Sequence, residues 1–96
     1  MLFVYGTLLD PCIQQKVIGR IVKGKADLLQ GYHKKMKRFS DGVFPVITSD
    51  PDGIVEGCVI ELTSDELSRC DKYEGSEYHR IKISLRSGIE AWTYTI

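Results

Sequence analysis

The chain has 96 residues, with 13 Lys plus Arg against 13 Asp plus Glu and no formal net charge. That length supports one domain, 1–96, around a single hydrophobic core, and the balanced charge offers no electrostatic footprint for nucleic acid or a membrane surface. Hydrophobic content of 43% is that of a globular protein, and no apolar run approaches the roughly 20 residues of a membrane helix.

Met1 to Tyr5 is a short apolar run closed by Gly6. It reads as a buried strand, because it has neither the basic start nor the long apolar stretch of a secretory leader; a cytoplasmic location is the matching expectation. Asp10-Pro11 opens a helix, since Asp can cap and Pro is tolerated at the first helical position. That helix should reach Val17 or Ile18 and stop near Gly19. From Ile21 to Phe39 the pattern is strand-like, with Gly24 and Gly31 marking bends, bulges or close backbone approaches. Ser40-Asp41-Gly42 is a turn, and Phe44 to Ile47 a short strand whose Pro45 requires an edge or entry position. Asp50-Pro51-Asp52-Gly53 reads as a turn between two apolar runs. Ile54 to Leu62 is the clearest strand, its face pattern broken at Gly57.

Thr63 and Glu66 have capping-box spacing, so a helix starts there and Gly75 ends it. Ile81, Ile83 and Leu85 alternate with polar residues, Ser87-Gly88 turns, and Ile89 to Ile96 alternates more weakly. The order β-α-β-β-β-α-β-β, mostly with short turns, predicts an α+β fold: a small mixed, mostly antiparallel β-barrel with flanking short helices.

Cys12, Cys58 and Cys70 are odd in number and widely spaced, and no zinc-ligand spacing occurs. They read as reduced thiols packed as small apolar side chains, with neither a metal nor a disulfide framework expected. His33-Lys34-Lys35-Met36-Lys37-Arg38 is the one charge cluster. RNA binding through it would be strongly salt-dependent and weakened by Lys34 and Lys37 substitutions; a solvated, protected strand edge is the commoner use. No nucleic-acid partner is therefore expected. His33 and His79 have no nucleophile placed beside them in sequence.

The chemistry concentrates in two segments. On the Thr63–Glu74 helix, Leu67, Cys70, Asp71 and Glu74 share a face by spacing. Leu67 and Cys70 should face the core, which puts Glu74 on or beside the buried stripe in the last turn. Burial and the negative end of the helix both disfavour a carboxylate there and raise its pKa towards that of a general base at neutral pH. In Val4-Tyr5-Gly6-Thr7-Leu8-Leu9-Asp10, a strand ending at Gly before a tight loop and a helix leaves backbone N–H groups free for an anion.

Taken together, these segments resemble the gamma-glutamylcyclotransferase-like superfamily, which includes gamma-glutamylamine cyclotransferases and AIG2-like proteins. The resemblance is carried by Phe3-Val4-Tyr5-Gly6-Thr7-Leu8, Val55-Glu56-Gly57, Asp71-Lys72-Tyr73-Glu74-Gly75, and Tyr78 followed by Arg80. It implies a pocket at the end of the first strand, with Tyr5, Gly6, Thr7 and Leu8 holding the substrate's α-carboxylate and amine region largely through backbone groups. It places the catalytic glutamate at Glu74. Tyr78 and Arg80 complete the pattern and are the further candidate substrate-binding residues, with pairing of Arg80 to a surface carboxylate the equal alternative. The activity the resemblance implies is release of 5-oxoproline from a small γ-glutamyl amine or peptide, without metal or cofactor. The alternative is a non-catalytic module that keeps the pocket to bind a small ligand or protein tail. The chain ends at Ile96 in a strand-like segment where many relatives continue, so the leaving-group side of the pocket is either open or closed by a second subunit.

Overall fold

The computed structural model describes all residues from Met1 to Ile96. In chain order the elements are strand β1 (Leu2–Val4), a 3-10 turn (Thr7–Leu9), helix α1 (Pro11–Ile18), strands β2 (Lys25–Phe39) and β3 (Gly42–Ile60), helix α2 (Ser64–Glu74), and strands β4 (His79–Ser84) and β5 (Glu90–Thr95). They form one five-stranded sheet in the order β2-β3-β1-β5-β4. Only β1 and β5 run parallel; the other pairings are antiparallel.

The short central strand explains why the N-terminal run is apolar throughout. Side chains alternate across a strand, so Leu2 and Val4 enter a cluster with Ile18 and Cys70 on the helix side, while Phe3 and Tyr5 enter a second cluster with Leu29, Ile47 and Val55. Leu2, Phe3 and Val4 are all essentially solvent-free, each contributing roughly 1.5–3 kcal/mol of transfer free energy. The sheet curls, so that the Arg86 N–H donates to the Leu28 carbonyl at 2.9 Å. β2 and β4 nonetheless remain edges. The expected barrel is thus an open, curled sheet.

Local signals fix both helices. Asp10 accepts from the Cys12 N–H at 2.8 Å and Gly19 closes α1 at φ 89°. At α2, Thr63 and Glu66 exchange hydrogen bonds in a capping box. The same Glu66 side chain is almost wholly covered and pairs with Arg20, 2.6 Å from Nε to Oε2. The Arg20 guanidinium, helped by the Thr63 N–H, pulls the Glu66 carboxyl down to about 2. A depressed carboxyl contributes stability above its unfolded value of 4.5 and loses it as pH falls towards the folded value. Glu66→Ala should therefore lower Tm at pH 7 and make little difference at pH 2, which paired thermal melts would check.

Two readings of the long hairpin need correction. Phe44–Ile47 and Ile54–Leu62 are not separate strands but parts of β3. Asp50–Gly53 does not reverse the chain: pairing passes from Tyr32↔Ser49 to Gln30↔Ile54, so those four residues swell out opposite Gly31. Gly31, at φ 89°, gives β2 the matching irregularity. Pro45 lies in the arm of β3 that has β2 as its strand partner, clear of the β1 pairing at Cys58–Ile60. The edge position expected for it is the one observed. Of the cysteines, Cys70 packs in the core and Cys58 is half-buried, but Cys12 is exposed on α1 and does not pack.

Candidate active site

A cavity of about 200 Å³ opens where β1 ends. One wall is the Tyr5–Leu8 loop, another the end of α2 with Tyr73 and Glu74, and a third the tip of the β2–β3 hairpin with Phe39, Asp41, Phe44 and Pro45. Phe3, Val4, Glu77, Tyr78 and Tyr94 complete it. Segments far apart in sequence meet here through specific bonds. The Thr7 and Tyr73 hydroxyls are hydrogen-bonded at 2.8 Å, tying the loop to α2. Tyr78 OH donates to the Pro45 carbonyl at 2.9 Å, tying the segment after α2 to β3.

Gly6 is where the loop meets that wall. A Cβ at this position would lie 2.9 Å from Cγ of Pro45, so only glycine lets the loop run so close to the β3 arm. The Gly6 N–H donates to no acceptor within the chain, while the Gly6 carbonyl accepts from Leu9 N–H at 3.0 Å. The Tyr5 carbonyl, which shares a peptide group with that free N–H, accepts from Lys34 Nζ at 3.4 Å. A donor on the carbonyl polarises the peptide and strengthens the N–H as a donor in turn.

Glu74 stands on the last turn of α2, half-buried, with no cation paired to it. Burial alone pushes its carboxyl up to about 7. The helix end invoked from sequence is not needed to explain this. A carboxyl poised near 7 exchanges protons in both directions at neutral pH. Burial raises Tyr5 and the neighbouring Glu74 charge adds to it, holding Tyr5 in the phenol form. Tyr5 OH accordingly acts as a donor, to the Tyr94 carbonyl at 2.5 Å.

The sequence-derived residues Tyr5, Gly6, Thr7, Leu8, Glu74 and Tyr78 all line the cavity together. Arg80 does not. Its Nε pairs with Asp71 at 2.7 Å and its guanidinium lies 4.7 Å from the Trp92 ring. Asp71 also accepts from Tyr94 OH at 2.6 Å, so Arg80 reaches the cavity wall only through Asp71 and Tyr94. Reasoning from sequence missed Phe39, Asp41, Tyr73 and Glu77. Tyr73 and Glu77 flank Glu74 within three residues, whereas Phe39 and Asp41 arrive through the pairing of a long hairpin, which no local pattern encodes. No three His, Cys, Asp or Glu side chains converge in a way that could hold a metal ion, and no helix is long and apolar enough to cross a membrane.

A family model described as gamma-glutamyl cyclotransferase, AIG2-like, matches residues 2–96. Protein AIG2 C of Arabidopsis thaliana is 35% identical over 85 residues, covering 86% of this chain and 50% of that protein. A solution structure from Arabidopsis thaliana superposes with a TM-score of 0.82 at 28% identity, over 98% of this chain and 59% of the other. A solved gamma-glutamyl cyclotransferase shares the fold at a TM-score of 0.79 and 19% identity, over 99% of this chain and 64% of that one. The chain spans about half the length of the curated relatives it matches.

Proposed function

The chain belongs to the gamma-glutamyl cyclotransferase, AIG2-like family, and from that premise we propose that it releases 5-oxoproline from a small γ-glutamyl amine or peptide, with Glu74 as general acid and base. The observation that carries this is a half-buried, unpaired carboxyl with a pKa of about 7 facing a loop with a free backbone N–H in one cavity.

In this reaction the substrate's α-amino nitrogen attacks its own γ-carbonyl carbon. A five-membered ring closes and the bond from that carbon to the leaving amine breaks. Nucleophile and electrophile are one molecule, so most of the acceleration comes from holding it folded. Glu74 takes a proton from the attacking nitrogen and returns it to the departing one. The Gly6 N–H is available to the α-carboxylate or to the developing oxyanion, and Lys34 on the same peptide group favours negative charge in either role. Nothing in the cycle calls for a metal or cofactor. Three unpaired cysteines suit a reducing compartment, and we assign the protein to the cytoplasm.

The test is 5-oxoproline release from a panel of γ-glutamyl amino acids, γ-glutamyl-ε-lysine and glutathione, by the folded protein. Release from at least one member supports the reading. Silence across the whole panel would instead favour a module that uses the family pocket for binding alone.

A further inference from the structure

Arg80 belongs to the sequence motif yet takes no part in the cavity wall. Its Nε holds Asp71 Oδ1 at 2.7 Å, and its guanidinium lies 4.7 Å from the centre of the Trp92 ring. Arg80 and Tyr94 are register partners on β4 and β5, so their side chains leave the sheet on the same face. Both reach α2 at one atom, because Tyr94 OH donates to that same Asp71 Oδ1 at 2.6 Å. A single carboxylate oxygen joins the helix to two strands.

Asp71 stands three residues before Glu74 on α2, and residues three apart share a side of a helix. Fixing Asp71 therefore fixes the turn that carries the base. The Gly75 N–H closes that turn on the Asp71 carbonyl at 3.1 Å. Tyr94 makes a second bond, towards the opposite wall of the cavity. Its carbonyl accepts from Tyr5 OH at 2.5 Å, and the Tyr5 carbonyl shares a peptide group with the free Gly6 N–H. The path Arg80–Asp71–Tyr94–Tyr5 thus links the proton-transfer group to the loop donor. Ring closure needs both at once around one folded substrate. The Arg80 and Asp71 side chains are 27% and 40% exposed, and an ion pair this open adds little to stability. Geometry is what it supplies.

We propose, building on the cyclotransferase reading, that Arg80 is a positioning residue: acting through Asp71, it sets the last turn of α2, and with it Glu74, against the loop that carries the Gly6 N–H. It does so without touching substrate. Lys82 is the natural contrast. It lies on the same strand, 5.0 Å from the same Trp92 ring, but it forms no ion pair and has no hold on α2.

The experiment measures 5-oxoproline release and thermal melting for Arg80→Met, Arg80→Lys, Asp71→Ala, the double variant Arg80→Met/Asp71→Ala, and Lys82→Met. A misplacement of about 1 Å costs on the order of a hundredfold in rate, so Arg80→Met should lower kcat by about that factor and leave KM within about twofold. Its Tm should fall by no more than about 8 °C. Arg80→Lys returns a charge to Asp71 and should recover kcat to within about tenfold of wild type. Asp71→Ala removes the shared oxygen and should be at least as slow as Arg80→Met. Adding Arg80→Met to it should change nothing further, since both act through one contact. Lys82→Met should behave as wild type. An unchanged kcat in Arg80→Met would overturn the proposal, and so would a kcat that falls only with the folded fraction. A rise in KM alone would also overturn it, because Arg80 would then be a substrate contact; equal losses in Arg80→Met and Lys82→Met would do the same. If wild type releases no 5-oxoproline, the cyclotransferase reading fails separately, and hydrogen exchange at the Gly75 N–H decides the positioning role. Faster exchange in Arg80→Met than in wild type and Lys82→Met supports it, and equal exchange in all three sinks it.

Discussion

Replacing Glu74 by Gln is expected to cut 5-oxoproline release by about a thousand-fold, in the range found for removing a general acid–base, while making the protein more stable above pH 7. The two effects share one cause. The Glu74 carboxyl has an ordinary value of 4.5 and is held at about 7 by burial. A raised acid contributes stability that is fully present below its unfolded value, fades between 4.5 and 7, and is lost above the folded value. At pH 8 the wild type must keep a carboxylate where the cavity disfavours one, and Gln carries no such charge. The gain should be on the order of 1–3 kcal/mol at pH 8, after discounting for the side chain's partial exposure, and near zero at pH 4. Denaturant melts at both pH values would measure it. A variant that is inactive and destabilised at every pH would point to a structural role for Glu74.

Gly57→Ala is expected to produce a large loss of stability. A Cβ there would sit 2.4 Å from the Val4 carbonyl oxygen and 2.7 Å from the Phe3 ring. Neither neighbour can yield easily. Val4 is paired with Cys58 in the sheet, and Phe3 is 1% exposed in the core. Overpacking against backbone and a fixed ring should cost roughly 2–4 kcal/mol, a Tm fall of about 8–30 °C for a domain of this size. Release of β1 from β3 would also displace the Tyr5–Leu8 loop, so activity should fall faster than the folded fraction. Glu56→Ala, an exposed neighbour, should change Tm by a few degrees at most, and serves as the comparison for both readouts.

Legibility in the sequence followed the range of the interactions. Capping chemistry acts within a few residues, so Asp10-Pro11, the Thr63–Glu66 box, Gly19 and Gly75 marked both helices at their observed ends. The placement of Glu74 at the edge of a buried stripe was legible for the same reason. Asp50–Gly53 carries true local turn chemistry, with the Asp52 N–H donating to Asp50 Oδ1 at 3.1 Å. What makes it a swelling rather than a reversal is Gly31 across the hairpin, and Gly53 passes so close to the Tyr32 carbonyl that a Cβ would lie 2.2 Å from it. That partner is invisible to a reading along the chain. Arg80 was legible as a charge near the motif, but its choice of Asp71 and Trp92 depends on β4 pairing with β5 and packing beside α2. Asp41 was the least legible of the lining residues, because it looks like any turn residue until hairpin register carries it to the cavity.

The claim on which the rest depends is that this cavity turns Glu74 into a base that works at neutral pH, and it can be tested without knowing the substrate. Glutamate labelled with 13C at the side-chain carboxyl, followed by NMR from pH 3 to 9 and assigned by the signal missing in Glu74→Gln, reports the titration directly. A Glu74 midpoint near 7 is the expected result. A midpoint near 4.5 would mean a solvated carboxylate at the end of a helix, and would contradict the proton-transfer role assigned to it.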